Sequence, residues 1–135
     1  MTDQEHIWQD LNILVVEDDD TNYFLIEELL SPYGFTLLRA IDGNQALIQI
    51  NSELKIHLVL MDIKLPKGPN GIELCRIIKE KYPFLPIIIQ SAIVTGNEGV
   101  SSIKGVYDDF ITKPYDFKVF YKTIFNQLEY YLVKP

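Results

Sequence analysis

The sequence predicts an α/β fold, a doubly wound parallel sheet with helices on both faces, and three observations carry that prediction. Runs such as Ile13-Leu14-Val15-Val16, Leu58-Val59-Leu60-Met61 and Ile87-Ile88-Ile89 are apolar throughout rather than alternating, as in strands buried on both faces of a parallel sheet. Segments with apolar residues at helical spacing separate these runs, so strand and helix alternate and right-handed crossovers follow. The strands also end abruptly in polar residues. The run from Leu58 stops at Asp62, a carboxylate that a core strand cannot bury in ionised form at low cost. Asp62 therefore belongs at the carboxyl end of its strand, the edge of an open α/β sheet where ligands bind.

A chain of 135 residues suffices for one domain with a real core. Asn12 to Val16 forms the first strand, the four carboxylates Glu17 to Asp20 a loop, and Thr21 to Ser31 a helix that Asp19 or Asp20 is suited to cap. Pro32 and Gly34 stop that helix. Phe35 to Ala40 forms the second strand, and Asp42-Gly43 turns into a helix with Ala46, Leu47 and Ile50 on one face. Ile56 to Asp62 is the third strand and Pro66 to Gly71 a loop. The next helix, Ile72 to Tyr82, carries Leu74, Ile77 and Ile78 at helical spacing and is closed by Pro83 and Pro86. Ile87 to Ser91 is the fourth strand and Asp108 to Thr112 a shorter fifth. Between them, Gly96 to Gly105 holds three glycines and two serines, which predicts a weak fourth helix. From Tyr115 onward, Phe117, Phe120, Ile124, Leu128 and Leu132 recur at helical spacing and give the last helix a packed aromatic face. Exposed members of the set Tyr115, Tyr121, Tyr130 and Tyr131 would instead suit a partner surface or a homodimer.

Composition narrows the function. Apolar residues make up 47% and charged residues 23%, ordinary for a soluble globular protein and far from disorder. Twelve basic against nineteen acidic side chains give a net charge of −7, which opposes a general grip on nucleic acid. No Rossmann glycine fingerprint follows the first strand, and its acidic loop would repel a pyrophosphate. Cys75, the single cysteine, lies beside Leu74 and reads as a buried small hydrophobe. The expected organisation is a polar leader over residues 1–10, one domain over 11–132 and a tail over 133–135. The leader lacks the basic and apolar regions of a signal peptide, and no stretch suits a membrane span, so a cytoplasmic location is expected. His6 in the leader and His57 near the start of the third strand lie away from the polar rim and read as structural or solvated; Trp8 suits either docking or an interface.

The strand ends gather Glu17 and Asp18 after the first strand, Asp62 after the third, Ser91 after the fourth and Lys113 after the fifth. Three carboxylates crowded together raise one another's pKa, an arrangement that makes sense around a divalent cation. Oxygen ligands without histidine favour Mg2+ over zinc. A hydroxyl and an ammonium on the same rim would complement a tetrahedral oxyanion, so the set reads as a phosphoryl site.

Four stretches, Leu14-Val15-Val16-Glu17-Asp18, Leu60-Met61-Asp62 with Leu65-Pro66, Ser91-Ala92, and Thr112-Lys113-Pro114, resemble the motifs of response-regulator receiver domains. The resemblance spans roughly residues 11–132. It implies a flavodoxin-like (βα)5 three-layer sandwich with strand order 2-1-3-4-5. It makes Asp62 the phosphoacceptor from a phosphohistidine of a histidine kinase or histidine phosphotransfer protein. Glu17, Asp18, Asp62 and the backbone carbonyl of Lys64 would hold Mg2+, Lys113 and Ser91 would contact phosphoryl oxygens, and Ala92 would leave room for the group to enter. Pro114 matches a cis peptide. Ser91 and Phe110 would form the switch that changes the surface of the fourth helix, fifth strand and last helix for a downstream protein target. Two features depart from the usual pattern: the loop from Asp62 to Gly71 is one residue longer, and Lys64 and Ile93 occupy the positions that tune phosphoryl lifetime in the family, where bulky Ile93 would shield an acyl phosphate. On this reading the protein is a switch and not an enzyme with an external substrate. The alternative is a Mg2+-dependent phosphatase or phosphotransferase with an Asp nucleophile, which typically has a second acid where this chain has Lys64.

Overall fold

The structure, a computed structural model, describes residues 10–92 and 106–133. Its strands are β1 (Asn12–Val16), β2 (Thr36–Ala40), β3 (Leu58–Asp62), β4 (Ile87–Ser91) and β5 (Asp109–Thr112). They form one parallel sheet in the order β2-β1-β3-β4-β5, the predicted 2-1-3-4-5 arrangement of the flavodoxin-like fold. The α-helices among the described residues are α1 (Asp20–Leu30), α2 (Gly43–Ile50), α3 (Gly71–Lys81) and α4 (Phe117–Val133). The helix expected over 96–105 lies outside the described residues, as do Ile93, His6 and Trp8.

Alternate residues of each strand face opposite layers. Ile13, Val15, Leu58, Leu60, Ile88 and Ile111 pack against Ile26 and Leu30 of α1 and Phe120, Ile124 and Leu128 of α4. Leu14, Val16, Val59, Met61, Ile87 and Ile89 pack against Ala46 and Ile50 of α2 and Leu74, Cys75 and Ile78 of α3. All five residues of β3 and of β4 are buried, which is why their sequences show no alternation. The aromatic face of α4 is real for Tyr121, whose ring stacks on Phe125 at 5.8 Å, whereas Tyr130 is exposed.

Helix starts follow local chemistry. Asp19 caps α1 by accepting from the Thr21 N–H, Asp42 caps α2 through Gln45, and Asn70 and Glu73 form a capping box on α3. Strand starts fall one or two residues later than expected at β2, β3 and β5, because the flanking residues bond outside the regular ladder. Asp108, for example, accepts from the Ile87 N–H at 2.8 Å and ion-pairs with Lys79. His57 accepts from the Asn12 N–H at the amino ends of the strands, a structural role far from the polar rim.

The loop between β3 and α3 docks on the start of α2. The Gly43 N–H donates to the Lys67 carbonyl at 3.0 Å. A Cβ on Gly43 would lie 2.3 Å from the Pro69 carbonyl oxygen, and Gly68 takes φ +76°, so both contacts depend on glycine. Gly71 brings α3 against β3 itself: a Cβ there would lie 2.3 Å from the Asp62 carbonyl oxygen.

Candidate functional site

Glu17 is the first residue beyond β1 and its backbone is held on both sides. Its N–H donates to the Ala40 carbonyl at 2.9 Å, and its carbonyl accepts from Arg39 Nε at 3.1 Å. Arg39 also pairs with Asp20 at 2.8 Å and lies over the Tyr23 ring, so β2 clamps the acidic loop from below. The alternation that puts Val15 and Leu60 on the α1/α4 face carries Glu17 and Asp62 onto the same side at the sheet edge.

The Glu17 side chain is fully buried yet ionised. Burial alone would raise its pKa. Hydrogen bonds from Asn22 Nδ2 at 2.5 Å and the Asp19 N–H at 3.2 Å, with Lys113 Nζ at 3.1 Å, outweigh that and lower it. Asp62 is at the opposite setting. It accepts from the Lys64 N–H at 3.1 Å and Lys113 Nζ at 3.3 Å, but burial and the facing Glu17 charge push its pKa up to about 6. Lys113 bridges the two carboxylates, and the pair, outweighing its burial, raises its pKa.

Glu17, Asp18 and Asp62 each offer an oxygen, with these atoms within 4.8 Å of one another. Two of the three are buried, Lys113 serves both of those, and among the described residues no nitrogen or sulfur ligand accompanies them. A hard divalent cation such as Mg2+ fits this donor set. A cleft of about 250 Å3 is lined by these three residues together with Asp19, Lys64, Ser91, Ala92 and Lys113. The residues expected at the rim, with Ala92 and Lys64, are thus brought together, Ser91 as the last residue of β4, where its carbonyl accepts from the Lys113 N–H at 2.8 Å. The Lys113–Pro114 peptide is cis. Phe110 stands apart from the cleft, half-buried against the α2/α3 layer. A larger cleft, about 380 Å3, lies at the opposite end of the sheet among residues such as Ile56, Tyr82 and Phe84 and contains no carboxylate cluster.

Sequence reasoning missed the partners of Glu17. Asn22, in the first turn of α1, donates to Glu17 and to Tyr115 Oη at 2.9 Å, and Tyr115 in turn donates to Gln90. Arg39 was equally silent in the pattern, because nothing local ties a β2 arginine to the loop after β1.

The fold and this edge define the class: an open α/β protein with a candidate ligand site at the carboxyl ends of the strands, where the described donors are oxygens. The chain belongs to the response regulator receiver domain family, whose profile matches residues 13–125. It is 36% identical over 121 residues to the transcriptional regulatory protein YrkP of Bacillus subtilis, covering 90% of this chain and 51% of that protein. It is 31% identical over 114 residues to the transcriptional regulatory protein ZraR of Salmonella typhimurium, covering 84% of this chain and 25% of that protein. The chain therefore spans half the length of one curated relative and a quarter of the other. Among solved structures, the signal receiver domain of an HD domain-containing protein from Pseudomonas fluorescens matches with a TM-score of 0.81 at 25% identity, covering 90% of this chain and 89% of that one. This is a signalling domain of two-component systems, and no helix among the described residues is long and apolar enough to cross a membrane.

Proposed function

We propose that the protein is a cytoplasmic phosphorylation switch that accepts a phosphoryl group on Asp62 from a phosphohistidine of a sensor kinase or phosphotransfer protein. The observation that carries this reading is the convergence of Glu17, Asp18 and Asp62 within 4.8 Å, with Lys113 bonded to both buried carboxylates. An Asp62 oxygen attacks phosphorus, the P–N bond to the donor imidazole breaks, and an acyl phosphate results. Phosphoryl transfer of this kind passes through a loose transition state and is governed by positioning and charge.

Glu17, Asp18, Asp62 and the Lys64 carbonyl would hold Mg2+, which supplies charge neutralisation for the attacking carboxylate and the phosphoryl oxygens. The chain's own residues do the rest. The Lys64 N–H and Lys113 orient Asp62, Lys113 turns from carboxylate to phosphoryl oxygen as charge moves, and Ala92 leaves space beside Ser91. Ser91 donates to a second phosphoryl oxygen, drawing the end of β4 inward. Phe110, one strand over and half-buried, follows into the space and alters the surface that a downstream protein reads.

The test is to incubate the protein with acetyl phosphate and Mg2+ and measure intact mass. A base-labile, acid-stable phosphoryl adduct that is lost in Asp62→Asn is expected. No adduct, or one that persists in the variant, refutes the reading; steady hydrolysis of phosphate esters points to an Asp-nucleophile phosphatase instead.

A further inference from the structure

The partners of Glu17 form a chain that crosses from α1 to β4. Asn22 Nδ2 lies 2.5 Å from Glu17 Oε1 and 2.9 Å from Tyr115 Oη, and an amide NH2 has a hydrogen for each. Tyr115 passes its own hydrogen to Gln90 Oε1. Gln90 is wholly buried and is the register partner of Asp62 on β3 and Ile111 on β5. Its Nε2 makes no hydrogen bond among the described residues. Among the described residues, the contribution that glutamine makes and a leucine would not is therefore the acceptor for Tyr115. Tyr115 is itself fixed by packing, its ring 5.1 Å from that of Phe120.

We propose that Asn22 is a positioning residue for the divalent-cation site: its amide, anchored through Tyr115 to Gln90, fixes the orientation of the Glu17 carboxylate. The inference rests on the reading of Glu17 as a cation ligand. Two features separate it from a general structural role. The start of α1 is already capped by Asp19, so Asn22 is not needed there. The other side-chain donor to Glu17, Lys113, is shared with Asp62 and would pull Glu17 along as it moved. Asn22, on a helix and tied to a packed tyrosine, gives Oε1 a fixed partner, and acceptor capacity on Oε2 serves the cation.

The experiment is a Mg2+ titration of the full chain followed by backbone amide NMR shifts, with thermal unfolding in EDTA alongside. Wild type, Asn22→Ala, Tyr115→Phe and Gln90→Leu are compared. Loss of an outer partner of a metal ligand typically costs about 10–100-fold in affinity, and that loss is expected for Asn22→Ala while its spectrum stays folded. Tyr115→Phe and Gln90→Leu release the anchor but leave the amide, so a smaller, several-fold loss is expected. An Asn22→Ala affinity within twofold of wild type overturns the proposal, whatever its thermal stability. If that variant does not fold, unchanged affinity in Tyr115→Phe and Gln90→Leu overturns it. Wild type that binds no Mg2+ removes the cation-site reading itself, a result distinct from equal binding by all four proteins.

Discussion

Replacing Asp62 by asparagine should stabilise the cation-free protein. In the folded state burial and the Glu17 charge hold the Asp62 pKa near about 6, whereas its ordinary value is 3.8. Between those two pH values the folded protein binds more protons than the unfolded chain, so stability falls as pH rises from about 4 through about 6 and stays low above. At about 1.4 kcal/mol per pH unit, the span from 3.8 to about 6 amounts to about 3 kcal/mol at pH 7. Asparagine removes that charge and retains an oxygen for the Lys64 N–H, and the attraction to Lys113 that it gives up is already contained in the shift. The expected gain is therefore about 3 kcal/mol, or about 9–12 °C in Tm for a chain of this size. Urea or thermal unfolding in EDTA measures it. The variant should be more stable than wild type at pH 7, the advantage should vanish near pH 4, and saturating Mg2+ should reduce it by stabilising wild type alone. A variant that is equally or less stable at pH 7 without Mg2+, or an advantage that is flat with pH, would refute the electrostatic reasoning.

Lys113→Met removes the cation that bridges Glu17 and Asp62. A loss of about 1–3 kcal/mol at pH 7 is expected, much of it regained at pH 5 where Asp62 takes up a proton, as urea titrations at the two pH values would reveal. Gly71→Ala sets a methyl group 2.3 Å from the Asp62 carbonyl oxygen and 2.8 Å from the Ile63 Cα, so the end of β3 or the start of α3 must shift. Overpacking of this kind costs about 1–3 kcal/mol, and the displaced Asp62 should also slow acetyl phosphate labelling. Cys75 is fully buried, and burial pushes its thiol pKa up to about 12. A thiol reagent should therefore modify it only as fast as the protein unfolds, which a comparison of labelling in buffer and in urea checks.

What could be read from the sequence and what could not divide along the range of the interactions. The strands announced themselves because a fully buried strand must be apolar at every position, and their ends did so because Glu17 and Asp62 cannot continue such a run. Helix starts at Asp19 and Asp42 are short signals of the same local kind, whereas Asn70, which forms the capping box with Glu73, lay inside what reads as loop. The environment of the carboxylates is a different matter. That Glu17 stays ionised while Asp62 is pushed toward neutrality depends on which of two adjacent acids receives Asn22, and composition alone makes them equivalent. The loop after Asp62 was legible as long, yet its docking on Gly43 arises from a tertiary contact between Pro69 and a helix start that leaves no local pattern. Tyr115 shows the limit most clearly. Its place before an amphipathic helix reads as one more aromatic on a packed face, and the ring does pack on Phe120. Its hydroxyl, however, links Asn22 to Gln90, residues 93 and 25 positions away in the chain. Periodicity sorts side chains by the face they occupy; it does not say where the polar atom at the far end of an aromatic ring arrives. Here the polar atom arrives against the partner of a candidate cation ligand, so the residue that periodicity assigns to the core also belongs to the site.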